Sequence, residues 1–524
     1  MSEASGIETG GSSGPRGKKT LLSRIAASSS VSALGLGAFV LGVGVILMHR
    51  PFDLPERGDL AIWDYVAQSI LRGEIPYRDV IEIKSPGGAY LSALAIAVCR
   101  IFGLQDVAAV RLLQVLLVGL LSCVTYLVAA EYLRSRLAAV IAFLVPLLPE
   151  HLATMIAGTQ PKLTMILFGM LTLILIAKDR PFWAGVCSML SCLCWQPGLL
   201  FTGTALLVFS RCFVSWRDLR AAKVLTGAAV PLVVLVSYFY MAGALADLWT
   251  WTIAFNFTVY GPRQTKGLSQ AIAILWKITR QVFRADIVFV GLSAAGLAMF
   301  VARFLGAKLK SKERLRSVNL TLAAIVIPPL VYLAFCLINF QGGPDLIPLF
   351  PFIGIFAGWF FVEAGRLIAG FAKADSSFDL ARVIPGLAIG VIFVLLAIRS
   401  IPYQGEPGPA LEAQRKEFQA ISNVLGSEDR IYVHGTMEIL VLLGRPNLNP
   451  YIMFDEGKDD FIAARKYGGS FKAILDEIGS EAPRIISLSR LRRVTHGAEF
   501  ERWVLERYQE LPVAGYDDIY VRKQ

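Results

Sequence analysis

The sequence predicts a mainly α-helical, polytopic membrane protein of about 11 spans with a small α/β domain at its C-terminal end. Three observations carry that prediction. Of 524 residues, 55% are apolar and only 17% charged, with a mean hydropathy of +0.57, which is too greasy for a water-soluble chain. Apolar runs approaching the roughly 20 residues that a bilayer core demands recur from Val31 to Ile398. Beyond Pro402 the composition turns to that of a soluble domain.

Taken in order, residues 1–30 are Gly/Ser-rich and carry Arg16, Lys18, Lys19 and Arg24, the marks of a disordered cytoplasmic N-terminus. Val31 to Met48 lacks an A-x-A-like cleavage site and reads as an uncleaved first span of the 31–400 membrane region. Residues 49–107 then form a first external loop. Further spans are expected at 108–130, 137–150, 163–177, 182–194, 198–212, 224–242, 286–305, 318–338, 346–364 and 383–399. Basic clusters at Arg134/Arg136, Lys178/Arg180, Arg211 to Lys223, Arg303 to Arg316 and Arg366 to Arg382 then fall on the cytoplasmic side. Gly87 to Phe102 is apolar but short, and a crossing there would reverse every later cluster, so it is expected to be a juxtamembrane helix. The outside thus gathers the first loop, the 150–162 turn, Trp195-Gln196-Pro197, a 243–285 loop, the 339–345 turn and everything past Pro402. A Pro/Gly-rich linker, 401–410, leads into the 411–524 domain. There, strands are expected at RIYVHG, RIISLS and IYVRK, with helices at Leu411 to Leu425, around Met437 and at Glu499 to Gln509.

The net charge of +11 is scattered in short clusters rather than a stripe, which argues against nucleic acid. All seven cysteines lie in or beside apolar segments, which argues against a disulfide framework or a zinc site. The sequence has no P-loop or other nucleotide fingerprint.

The first loop is where charge concentrates. Between Arg57 and Leu91 it alternates acids and bases, among them Asp59, Asp64, Asp79, Glu82 and Lys84, with Trp63, Tyr65, Tyr77 and Tyr90. It could solvate the loop, or present carboxylates and cations to a lipid headgroup. The run D-x-x-x-W-x-Y-x-A-Q-x-I-L-x-G-x-x-P-Y-R-D from Asp59 to Asp79, followed by Lys84-Ser-Pro-Gly, resembles the first external loop of polytopic C-type glycosyltransferases. That family includes dolichyl-phosphate-mannose mannosyltransferases, protein O-mannosyltransferases and aminoarabinose transferases. The resemblance implies a multi-pass enzyme of a bacterial plasma membrane. It would move a sugar from a polyprenyl-phosphate donor to a glycan, lipid or protein acceptor at the non-cytoplasmic face.

It further implies that Asp59 is the catalytic base, since an acceptor hydroxyl needs a carboxylate within reach to take its proton. Lys84 would neutralise the leaving phosphate, with Tyr77, Arg78 and Asp79 beside it. The sequence departs from the family at Leu60, where a second acid is common, and at Thr159-Gln-Pro-Lys162, where Pro-Asp is common. No cofactor is certain, and a divalent metal stays open. Other candidate substrate contacts are His151 beside Glu150, Lys162 (phosphate contact or snorkelling span end), Gln196 and Asp345. The 243–285 loop, with Trp249, Trp251, Asn256 and Arg263, is a second candidate wall for a sugar. A transporter or lipid flippase is the main alternative, although no repeated halves are visible; a non-catalytic assembly scaffold is a third.

Overall fold

A computed structural model of the chain describes residues 21–523 apart from 150, 211–218, 265, 309–314, 372–378, 401–410 and 517. The expected N-terminal tail up to residue 20, the linker, Glu150 and parts of three basic clusters lie outside the described residues.

The fold class is the predicted one. Each of the eleven apolar runs falls on a helix. Among the described residues, six helical stretches are long and apolar enough to cross a membrane, and the remaining apolar helices are shorter. Helix α1 (Leu21–Met48) leads through a short turn to α2 (Gly58–Leu71), α3 (Gly87–Ile101) and the long α4 (Asp106–Leu133). At 15 residues α3 is shorter than a crossing needs.

Helices close up where side chains are absent. Gly185 lies on the backbone of Val224 while Gly227 lies on that of Phe182, so helices Pro181–Cys194 and Arg220–Met241 touch backbone to backbone. Gly354 and Gly358 do the same on Ala142 and Ala138. A Cβ at any of these points would collide with main chain. Apolar side chains cannot drive helices together inside lipid, so such close contacts supply the packing.

The expected 243–285 loop is instead mostly helical. Two π-helical turns, Thr250–Ala254 and Asn256–Tyr260, follow Leu245–Trp249, and a helix spans Leu268–Phe283. In the latter, Leu268, Ala271, Leu275, Ile278 and Val282 recur at helical spacing, and most of that stripe packs on the core.

The C-terminal domain carries a four-stranded sheet in the order β1-β2-β4-β3. Strand β1 (Ile431–His434) runs parallel to β2 (Ile485–Leu488); β4 (Ile519–Arg522) is antiparallel to both β2 and β3 (Tyr508–Glu510). The domain is fastened to the first loop. Gln414 exchanges two 2.9 Å hydrogen bonds with the Glu56 backbone, the Tyr65 hydroxyl accepts from the Asn447 amide at 2.7 Å, and Ile81 N donates to Pro450 O at 3.0 Å.

Candidate active site

Asp59 stands in the first turn of α2. Gly58 enters that turn at φ 53°, a left-handed conformation that glycine takes at no steric cost. It also sits against Arg490, leaving little room for a side chain. A helix N-terminus favours a carboxylate. Two chambers meet at this residue. A smaller one, about 300 Å³, is lined by Asp59, Trp63, Lys84, Gln160, Lys162 and Trp195 among others. A larger and more polar one, about 560 Å³, shares Asp59, Trp63 and Lys84 and extends to Tyr260, Arg263, Lys266, Asp455, Lys458 and Arg490. Partial burial raises the Asp59 carboxyl, but the charges of Lys84 and Arg490 outweigh it and hold the group below its ordinary value. It is therefore ionised at neutral pH.

Lys84 is delivered by a strap of main chain that three side chains hold. Gln196 Nε2 donates to the Ile83 carbonyl at 3.0 Å, and Asn256 Nδ2 donates to the same oxygen at 2.7 Å. The Tyr77 hydroxyl donates to the Lys84 carbonyl at 2.7 Å. The ammonium lies 5.1 Å from the centre of the Trp63 ring. Fixed backbone and a cation resting on an aromatic face give a positive pole beside Asp59.

Lys162 faces the smaller chamber at the position where the resembled family has an acid. It pairs with Asp345 at 2.6 Å and lies 5.0 Å from the Trp195 ring centre. Asp345 is buried, and its other oxygen accepts the amides of Gln341 and Gly342. It serves as an anchor for Lys162.

The residue that sequence reasoning missed is Arg490, whose Nη1 lies 3.2 Å from Asp59 Oδ1. It comes from the C-terminal domain and is placed by a buried histidine. His434 Nδ1 bonds the Ser489 carbonyl at 2.9 Å, and its Nε2 accepts the Phe454 amide at 2.8 Å. Those contacts fix the neutral tautomer with its proton on Nδ1. Burial pushes the imidazole down to about 4.

Several expected contacts lie elsewhere. Tyr77 is buried against Phe239 and holds the strap, while Arg78 pairs with Asp79 on the surface and donates to the Ala242 carbonyl. Asp79 also accepts the Ile75 amide. The Pro-Tyr-Arg-Asp run thus builds a turn that presents Lys84, and lines neither chamber. Gln196 and Asn256 spend their amides on Ile83. His151 lines neither chamber, and its carbonyl accepts the Thr154 hydroxyl. For a metal, the group with suitable geometry among the described residues is Asp459, Asp460 and His496. Its oxygens are already taken by Thr495, the His496 amide and Arg263.

The described residues thus build many packed helices, a charged first loop beside them and a docked α/β tail. No protein-family description matches the sequence, and no curated protein matches it. Among solved structures the chain is similar to ArnT from Cupriavidus metallidurans bound to undecaprenyl phosphate, with a TM-score of 0.58 at 13% identity, over 92% of this chain and 98% of that one. It is also similar to the archaeal oligosaccharyltransferase AglB from Archaeoglobus fulgidus in complex with an inhibitory peptide and a dolichol-phosphate. That TM-score is 0.51 at 12% identity, over 86% of this chain and 69% of that one. At such identities the likeness establishes the fold.

Proposed function

We propose that the protein is a membrane glycosyltransferase that transfers a sugar, a hexose such as mannose being the first to try, from a polyprenyl-phosphate donor to an acceptor at the non-cytoplasmic face. The observation that carries this reading is Asp59 paired with Arg490, beside Lys84, where two chambers meet. A carboxylate at such a junction takes the proton of an acceptor hydroxyl as it attacks the anomeric carbon. The bond from that carbon to the phosphate oxygen breaks, and polyprenyl phosphate leaves with the electron pair. Lys84 and Arg490 supply positive charge for the phosphate as it departs, which is worth more in a site partly shielded from water.

Binding of undecaprenyl phosphate by the ArnT structure and of dolichol-phosphate by the AglB structure supports a lipid-linked donor here. The chambers divide the work: the smaller, with Trp63, Trp195 and Lys162, takes the donor head, and the larger, polar one takes the acceptor. Purified protein in lipid, given a panel of polyprenyl-phosphate sugars with candidate acceptors, should release polyprenyl phosphate from one donor class. Release from none of them, with folded protein confirmed, rejects the reading.

A further inference from the structure

The face of α2 turned away from the chambers hides a second charged cluster. Glu56, Asp64 and Arg111 are 1%, 2% and 1% exposed. Arg111 Nη2 donates to Glu56 Oε1 at 2.8 Å, while its other nitrogens donate to the carbonyls of Ala157 and Phe52 at 3.0 Å. Asp64 Oδ1 accepts both the amide and the hydroxyl of Thr159, at 2.8 and 2.6 Å. That leaves Glu56 Oε2 and Asp64 Oδ2, both buried and neither reached by an N–H or hydroxyl donor.

Two carboxylates against one guanidinium would leave a net negative charge sealed from water, which is costly. The two carboxyls interact with each other, and a single proton on the pair removes that charge. The two Thr159 donors favour Asp64 as the carboxylate, which leaves the proton to Glu56; burial first, and then the Asp64 charge, push its carboxyl up to about 8 against the pull of Arg111. Burial raises Asp64 too, while the Thr159 donors and Arg111 pull it back. Arg111 is the charged group facing the pair from α4; Gln414 of the tail and Thr159 of the 157–159 turn present no titratable group.

The geometry also says what the pair holds. A Cβ on Gly158 would lie 2.7 Å from Asp64 Oδ2 and 2.9 Å from Leu60 Cβ, so the Gly158-Thr159 turn lies flush on α2. Immediately after it come Gln160 and Lys162, which line the smaller chamber. We propose that Asp64 is a positioning residue: held as a buried carboxylate by Arg111 and a proton shared with Glu56, it fixes the Gln160–Lys162 edge against Asp59. The proposal rests on reading Asp59 as the transfer site.

The test uses full-length protein in lipid nanodiscs, comparing wild type with Glu56→Gln and Asp64→Asn. Gln at 56 keeps an acceptor for Arg111 and a donor for Asp64, without a removable proton. Unfolded Glu56 ionises near pH 4.5, whereas the folded residue keeps its proton until about pH 8. The unfolded state therefore binds fewer protons across that window, and wild-type stability falls as pH rises. The Tm of Glu56→Gln relative to wild type should climb between pH 5 and pH 8 by at least ~2 °C. Hydrogen exchange of peptide 156–163 should accelerate about tenfold or more in Asp64→Asn and stay at the wild-type rate in Glu56→Gln. In the transfer assay, Asp64→Asn should lose ~10–100-fold in kcat and raise donor KM by more than ~3-fold, while Glu56→Gln stays within ~3-fold of wild type in both. A flat Tm difference across pH, or matching exchange in the two variants, overturns the proposal. A wild type that transfers from no donor retires the functional reading instead, and the melting and exchange measurements still decide on the pair.

Discussion

Asp59 and Asp64 share one helix and meet opposite fates. Asp59 faces a junction of chambers, flanked by two cations from different parts of the chain. Asp64 is sealed on the other face with a second acid and one guanidinium. The contrast teaches that the chemistry of a carboxylate is set by what surrounds it: mobile solvent and surplus cations make a base, a closed pocket with surplus acids makes a strut.

The largest effect expected on that comparison comes from Asp59→Asn. It keeps the shape and removes the base, so transfer should fall by about 10²–10⁴-fold with normal accumulation in the membrane. Wild-type turnover in that variant would erase the distinction between the two acids. Lys84→Ala and Arg490→Ala should each lower kcat by roughly 10²-fold. Lys84→Ala should also raise donor KM if, as proposed, its cation meets the donor before the transition state. If Arg490→Ala left kcat intact, the site would belong to the membrane region alone.

A smaller, pH-dependent effect should arise at His434. Its folded value of about 4 lies below the ordinary 6.5, so between those values the unfolded state binds more protons and stability falls as pH drops. The slope is ~1.4 kcal/mol per pH unit at most, readable from urea melts at pH 7, 5.5 and 4.5. His434→Gln should flatten it, and an unchanged slope would move the acid sensitivity elsewhere. The smallest effect belongs to Arg78→Ala, which breaks an exposed pair; stability should shift by no more than ~0.5 kcal/mol, with transfer unchanged.

Much of the fold was legible because lipid imposes a length and an apolar composition on each crossing: every expected span met a helix, although among the described residues only six stretches are long enough to cross. Asp59 and Lys84 were legible for a related reason: one continuous loop contains both. Arg490 was not, because the pairing joins residues 431 positions apart and depends on how a domain docks. Glu56 carries no local sign of burial, whereas Arg111 lies inside the expected 108–130 span without any sign of its partner. Tyr77, Arg78 and Asp79 show the converse, since they lie in the same loop but line neither chamber. Their spacing carried the loop's resemblance, yet a side chain that builds a turn and one that touches substrate leave the same trace in sequence. The Leu268–Phe283 helix has a legible apolar stripe, but the polar and aromatic residues before it, Trp249, Asn256 and Arg263, have the composition of a loop.

The strap that bears Lys84 has a mechanical consequence. One carbonyl, that of Ile83, is gripped by Gln196 from the turn after helix Pro181–Cys194 and by Asn256 from the π-helical segment. Lys84 therefore shifts only if those hydrogen bonds break or both elements travel with it. Whatever enters the junction meets a charge whose position is tied to two separate parts of the helical scaffold, and any rearrangement of one part is reported to the other at that single oxygen.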